Sequence, residues 1–320
     1  MKQGIKYSFL FFLFMCIVFF LYIPFTGYSV DTKMPTIKIP DDYESYINEK
    51  EAKFLDITPG AEKKLVMREK GKKTEYAIVY IHGFSASRQE TSPVTELISQ
   101  KINANVFYTR LRGHGRGGEA FGKTDASEWI YDAMEAYEIG KKIGNKIFII
   151  AVSTGVPLSL WLAEHDRLQP ERKIAGMALL SPNIYPKNKT VKLLLYPAGL
   201  EFAKLVSGKR RTWKPYNEMM KKYWTYDYAL EGIRPMVVLV ESLKNYKYEE
   251  QSTPAIFIYT EKDEVIDVEE VKTAYKRYGG KKKELFECKP CKNHILAGNI
   301  ISPETNEYIA EKIVNYFNSL

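Results

Sequence analysis

A chain of 320 residues with 45% hydrophobic and 27% charged side chains is long enough for one sizeable core, and its composition excludes a disordered or low-complexity protein. The formal net charge is +8, but no nucleic-acid fold signature accompanies it, so no nucleic-acid partner is expected. Part of the excess is local: ten Lys or Arg lie between Lys187 and Lys222, against Glu201 and Glu218. Such a stretch suits an anionic surface or acidic ligands, or equally a solvated face.

The first thirty residues stand apart. Lys2 and Lys6 are their only charges, and Ser8 to Phe25 is an almost unbroken apolar run. As a helix it would be roughly 27 Å long, close to the hydrocarbon thickness of a bilayer. With lysines before it and none just after, residues 8–25 read as a single-pass membrane anchor that places the remainder outside the cytoplasm. Gly27-Tyr28-Ser29 also offers a small-x-small site, so residues 1–30 are a membrane anchor or a signal segment cleaved near Ser29. Residues 31–60, with Pro35, Pro40 and Pro59, read as a lead-in.

From residue 61 the chain alternates strands and helices. Leu65-Val66-Met67 is expected to pair across the Gly71 turn with Ala77 to Ile81, and Asn105 to Tyr108 is a further strand. Helical spacing runs over Ser92 to Ile102 and over 126 to 142, where Trp129, Ala133, Ala136 and Ile139 form an inner stripe. Ile147 to Val152 suits a central strand buried on both faces. Later strands fall at Ile174 to Leu180, Ala255 to Tyr259 and Glu284 to Cys288, with helices at 268–277 and 304–317. This alternation predicts a doubly wound, mostly parallel α/β sheet. Residues 187–250 break it and are expected to form an inserted helical lid over the carboxyl ends of the strands, where such sheets bind ligands.

The most informative stretch is Ile147 to Leu162. An apolar strand leads into Ser153-Thr154-Gly155, and Pro157 opens a helix carrying Leu158, Leu160 and Leu162. A serine at that apex is lifted off the sheet with its hydroxyl exposed, the usual pattern being Gly-x-Ser-x-Gly. Here Ala151 holds the first close-approach position, a mild departure because alanine is the smallest side chain that can replace glycine.

A serine hydroxyl needs a base, and the base needs an acid to hold its tautomer and stabilise its cation. The chain has four histidines. His165 ends the helix after Ser153, where it complements the helix dipole. His82 and His114 lie in glycine loops upstream, and His294 follows the last strand. Strand, serine, later acid, later histidine is the order such a serine uses. Asp263, just after the strand at 255–259, is the chosen acid over Glu261, Glu264 and Asp267. Two backbone N–H groups must meet the oxyanion. Thr154 supplies one; Phe84, in the loop His82-Gly83-Phe84, supplies the other.

Together Tyr80-Ile-His-Gly-Phe84, Leu111-Arg-Gly-His-Gly115, Ser127-Glu-Trp129 with Asp132, the Ser153 elbow, Tyr259-Thr-Glu-Lys-Asp263 and Asn293-His294 resemble the α/β-hydrolase superfamily, nearest to its monoglyceride lipase and carboxylesterase group. The resemblance covers about residues 60 to 320 and is weakest over 187–250. It implies a triad of Ser153, Asp263 and His294 and cleavage of carboxylic esters, small or lipidic, through an acyl-enzyme, with no cofactor and no metal. His82 and His114 would shape loops without titrating in the reaction. A thioesterase, an amidase or a non-catalytic binding protein on the same fold are the other readings.

Cys288-Lys-Pro-Cys291 is open to a disulfide bracing the His294 loop, to free thiols, or to redox or zinc chemistry. Leu193 to Tyr196, Leu200, Phe202 and Leu205 suit either an acyl pocket in the lid or packing of lid on sheet.

Overall fold

The structure is a computed structural model that describes residues 7, 8, 10–14, 34–196 and 198–320. After helix α1 (Tyr43–Ala52) come β1 (Lys64–Val66), β2 (Thr74–Ile81), α2 (Val94–Lys101), β3 (Asn105–Tyr108), α3 (Gly117–Gly122), α4 (Ala126–Ile143), β4 (Gly144–Val152), α5 (Gly155–Arg167) and β5 (Ile174–Leu180). Between β5 and the next sheet strand lie α6 (Gly199–Ser207), β6 (Arg210–Thr212), α7 (Glu218–Tyr223), β7 (Asp227–Ala229) and α8 (Arg234–Ser242), with short 3-10 turns between them. The alternation then resumes with β8 (Ala255–Tyr259), α9 (Val268–Arg277), β9 (Lys283–Glu287) and α10 (Asn306–Asn318).

Seven strands form one sheet in the order β1-β3-β2-β4-β5-β8-β9. All neighbours are parallel except β1, which runs antiparallel to β3. The sheet separates two cores, as the strand period of two requires. In β2, Ala77, Val79 and Ile81 face α4 and α5, whereas Ile78 and Tyr80 face α2 and α10. This is the doubly wound, mostly parallel sheet of an α/β-hydrolase fold.

Three expectations change. Lys64, Leu65 and Val66 pair with Tyr108, Phe107 and Val106, so β1 does not form a hairpin with β2. The connection from Met67 to Lys73 is too long to force a tight hairpin, and β2 gives both edges to the parallel neighbours β3 and β4. The lead-in contains α1, capped by the Asp42 carboxylate and packed into the core through Ile47. Finally, among the described residues no helix is long and apolar enough to cross a membrane. That corrects the expectation of a transmembrane helix over residues 8–25 and of a single-pass protein with its domain outside the cytoplasm. Residues 9 and 15–25 of that stretch, and the cleavage site near Ser29, lie outside the described residues.

The stretch between β5 and β8 is tied to the sheet at its strand ends. The Thr225 N–H donates to the Ser85 carbonyl at 2.7 Å, and the Asn217 amide to the Ile300 carbonyl at 2.8 Å. These bonds reach the loops after β2 and after His294.

Candidate active site

Ser153 sits at φ +50, in the left-handed region, directly after β4. Such a conformation is costly for a residue with a side chain and is held here from both sides. The Ser153 N–H donates to the Leu180 carbonyl at 2.9 Å, and its own carbonyl accepts from Val156 at 3.0 Å and Asn183 at 3.3 Å. Gly155 allows the turn to close: a Cβ there would stand 2.4 Å from the Ile81 carbonyl oxygen. Ala151, two residues before Ser153, is fully buried on the α4 and α5 face.

His294 Nε2 lies 2.9 Å from Ser153 Oγ, and His294 Nδ1 lies 2.7 Å from Asp263 Oδ2. Ser153 and Asp263 are buried, and His294 is partly open to the cavity. The other carboxylate oxygen, Asp263 Oδ1, accepts the N–H of Val265 at 2.8 Å and of Ile266 at 3.1 Å. Burial alone would raise the Asp263 carboxyl. The hydrogen bond and charge of His294 and the two backbone donors outweigh it and hold the pKa below the ordinary carboxylate value. The carboxylate therefore stays ionised where it fixes the Nδ1–H tautomer and leaves Nε2 facing the hydroxyl. The rival acids have other work: Glu261 pairs with Lys272, Asp267 caps α9, and Glu264 is exposed.

Cys288 and Cys291 are joined by a disulfide that closes the turn after β9. The Thr260 hydroxyl donates to the Cys291 carbonyl at 2.9 Å, and the Ser181 hydroxyl donates to the His294 carbonyl. The histidine loop is thus fastened to the ends of β8 and β5.

Thr154 is the residue capping α5, with its hydroxyl accepting from the Asn183 amide at 3.2 Å. Gly83 packs against Ser153, since a Cβ on it would meet Ser153 Cβ at 3.2 Å. This brings the loop carrying Phe84 beside the serine. Phe84 is rooted in an aromatic cluster, its ring 5.0 Å from Phe121 and 5.8 Å from Tyr228. His82 and His114 brace the loop from below. His82 Nε2 accepts the Leu111 N–H at 3.0 Å, and His114 Nε2 accepts the Ser85 N–H at 3.1 Å. Burial drives His82 down to about 4 and His114 well below its usual value, so both stay neutral acceptors.

One residue of this wall was not signalled by the sequence. Glu90 is buried, and its Oε1 accepts the Gly83 N–H at 2.7 Å and the Tyr80 hydroxyl at 2.9 Å. Burial pushes its carboxyl up to about 8 despite those two donors. In sequence it is one acid in a polar loop, with nothing to mark it as interior.

A cavity of about 780 Å³ opens above Ser153 and His294. Its floor holds Gly83, Phe84 and Glu90; the inserted segment contributes Trp213, Tyr216, Met220, Trp224 and Tyr228. The apolar side chains between Leu193 and Leu205, open to an acyl pocket or to packing of lid on sheet, do not line this cavity. Leu194, Leu195 and Leu200 are buried in the core, and Phe202 and Leu205 are exposed.

Residues 72–296 match the family model Hydrolase_4, described as serine aminopeptidase S33. The chain belongs to that family. An 88-residue stretch is 32% identical to the thermostable monoacylglycerol lipase of Bacillus sp. strain H-257; it is 28% of this chain and spans 35% of that lipase. Among solved structures, a chain described with the metagenome-derived lipolytic enzymes LipS and LipT aligns with a TM-score of 0.68 at 19% identity, covering 82% of this chain and all of the other. A soluble variant of the Saccharomyces cerevisiae monoglyceride lipase aligns at 0.59 and 14%, covering 81% of this chain and 91% of its own. At such identities these two carry the fold. This family member is a hydrolase of the α/β-hydrolase fold.

Proposed function

We propose that the chain is a serine hydrolase that cleaves carboxylic acyl esters through an acyl-enzyme on Ser153. The observation that carries this is the continuous hydrogen-bonded line from Ser153 Oγ through the His294 imidazole to the Asp263 carboxylate. Ser153 Oγ attacks the ester carbonyl carbon while His294 Nε2 takes the hydroxyl proton. The N–H groups of Phe84 and Thr154 meet the charge developing on the carbonyl oxygen. As the tetrahedral intermediate collapses, the bond to the alcohol oxygen breaks and His294 returns the proton to it. Water then repeats the attack on the acyl-serine, releasing the carboxylic acid and restoring the hydroxyl. The segment at 187–250 acts as a lid on a hydrolase domain of residues 61–320, and its aromatic side chains suit an acyl chain.

The family description also brings an aminopeptidase into view. Such an enzyme has to hold a free α-ammonium with carboxylates, whereas the acids lining this cavity are Glu90, committed to Gly83, and Glu264, set among four cations. That balance favours esters over N-terminal amines. The monoacylglycerol and monoglyceride lipases among the chain's relatives point the same way.

The test is labelling by a fluorophosphonate serine probe with hydrolysis of p-nitrophenyl butyrate in parallel. Wild type is expected to label and turn over ester; Ser153→Ala abolishes both, and His294→Ala lowers both by about 10³-fold or more. A folded wild-type chain that neither labels nor turns over ester overturns the reading.

A further inference from the structure

The rim of the cavity carries Arg211, Lys214, Lys262 and Lys292, all exposed, against the single exposed acid Glu264. The other lining carboxyl, Glu90, is buried and retains its proton up to about pH 8. Among the described residues none of the four cations enters an ion pair. The four come from three separate segments: the inserted one, the turn bearing Asp263, and the loop bearing His294.

The chemistry below this rim differs from it. Phe84, Trp213, Trp224 and Tyr228 provide an apolar interior around Ser153, and a rim of like charges over low-dielectric walls concentrates its field on whatever enters. A neutral ester uses the interior and gains nothing from the rim. An ester with an apolar acyl chain and an anionic group some bonds from the scissile carbonyl uses both. We propose that the substrates are anionic amphiphiles: acyl esters of an alcohol bearing a phosphate or a carboxylate, with the acyl chain among the aromatic side chains and the anion at Lys214, Lys262, Lys292 and Arg211. The proposal rests on the ester-hydrolase reading and specifies its substrate class.

The full chain is compared on 1-octanoylglycerol, 1-octanoylglycerol 3-phosphate and 3-O-octanoylglycerate, all below their micellar concentrations. The expected result is a kcat/KM about ten-fold or more higher for an anionic ester than for the neutral one at low ionic strength, shrinking several-fold in about 0.5 M NaCl. Whichever anion shows the larger preference identifies phosphate or carboxylate as the preferred group. The double change Lys214→Gln with Lys292→Gln is expected to lower the anionic-to-neutral ratio several-fold. Equal or better use of the neutral ester at low salt, a ratio indifferent to salt, or a ratio unmoved by the double change would each overturn the proposal. Binding of the same three molecules to Ser153→Ala, followed by calorimetry, separates the two layers. Selective binding of the anionic esters without turnover by the wild type supports the rim and sinks the hydrolase reading, whereas turnover without anion selectivity does the reverse.

Discussion

The loop after β2 and the turn after β8 each hold one buried carboxyl group close to the Ser153 turn, and the two groups are held in opposite protonation states. Asp263 and Glu90 both accept backbone N–H groups, and burial raises both. Asp263 also faces an imidazole that gains from its charge and accepts two backbone donors on its second oxygen. Glu90 has Gly83 and a tyrosine hydroxyl, without a basic partner. Desolvation is therefore common to both loops, and the presence of a basic partner decides which acid ionises. Asp263 holds the His294 imidazole; Glu90 ties down a backbone.

The largest effect that sharpens this comparison comes from removing the charge on the β8 side. Asp263→Asn keeps the shape but offers its amide to Nδ1, so the imidazole turns toward the wrong tautomer and loses its counter-charge. A kcat lower by about 10³ to 10⁴-fold, with KM little changed, is expected for ester hydrolysis. A loss of under ten-fold would mean that another acid supports His294.

On the β2 side the expected effect is smaller and of a different kind. Glu90→Ala leaves the Gly83 N–H without its acceptor and frees the loop that presents the Phe84 N–H. A fall in kcat of about 30 to 100-fold is expected from a misplaced oxyanion donor. Glu90→Gln retains an oxygen acceptor and should keep most of the activity. If Ala and Gln behave alike, Glu90 does not position the loop and the contrast drawn above fails on this side.

These two loops were unequally legible in the sequence. Asp263 announces itself because it follows an apolar strand in a chain whose serine and last histidine already fix the order of parts. The sheet was legible for the same reason: the runs at 105–108, 174–180 and 255–259 are apolar on both faces, and β3, β5 and β8 have those bounds. Glu90 is silent because its burial comes from packing between β2, α2 and the Ser153 turn, which local pattern does not encode. The placement of β1 beside β3 was likewise hidden, since Leu65 and Val66 satisfy either neighbour and the choice is made by β3 and β4 taking both edges of β2, which leaves the outer edge of β3. Between Lys187 and Glu250 the chain lacks a repeating period, so charges and aromatics were visible there but not which of them line the cavity.

The smallest expected effect is on stability against pH, and it tests the protonation states directly. Between the unfolded value of 4.5 and about 8, folded Glu90 keeps a proton that the unfolded chain has released. Stability therefore falls as pH rises through that window. The buried histidines act in the opposite sense: from 6.5 down to about 4, the unfolded chain binds a proton at His82 that the folded chain refuses, and His114, lowered further, does the same. Their contribution falls as pH drops. Two histidines outweigh one glutamate below 6.5, and above it the glutamate outweighs them, so among these groups the maximum lies near pH 6.5. Urea unfolding should lose about 1 kcal/mol between pH 6.5 and 8 in the wild type, the loss at Glu90 being partly offset by the last of the histidines' gain. In Glu90→Gln that alkaline decline should vanish while the acid decline stays. A variant that declines as the wild type does would show that Glu90 is ionised in the folded protein, and that burial in the β2 loop is offset by a partner after all.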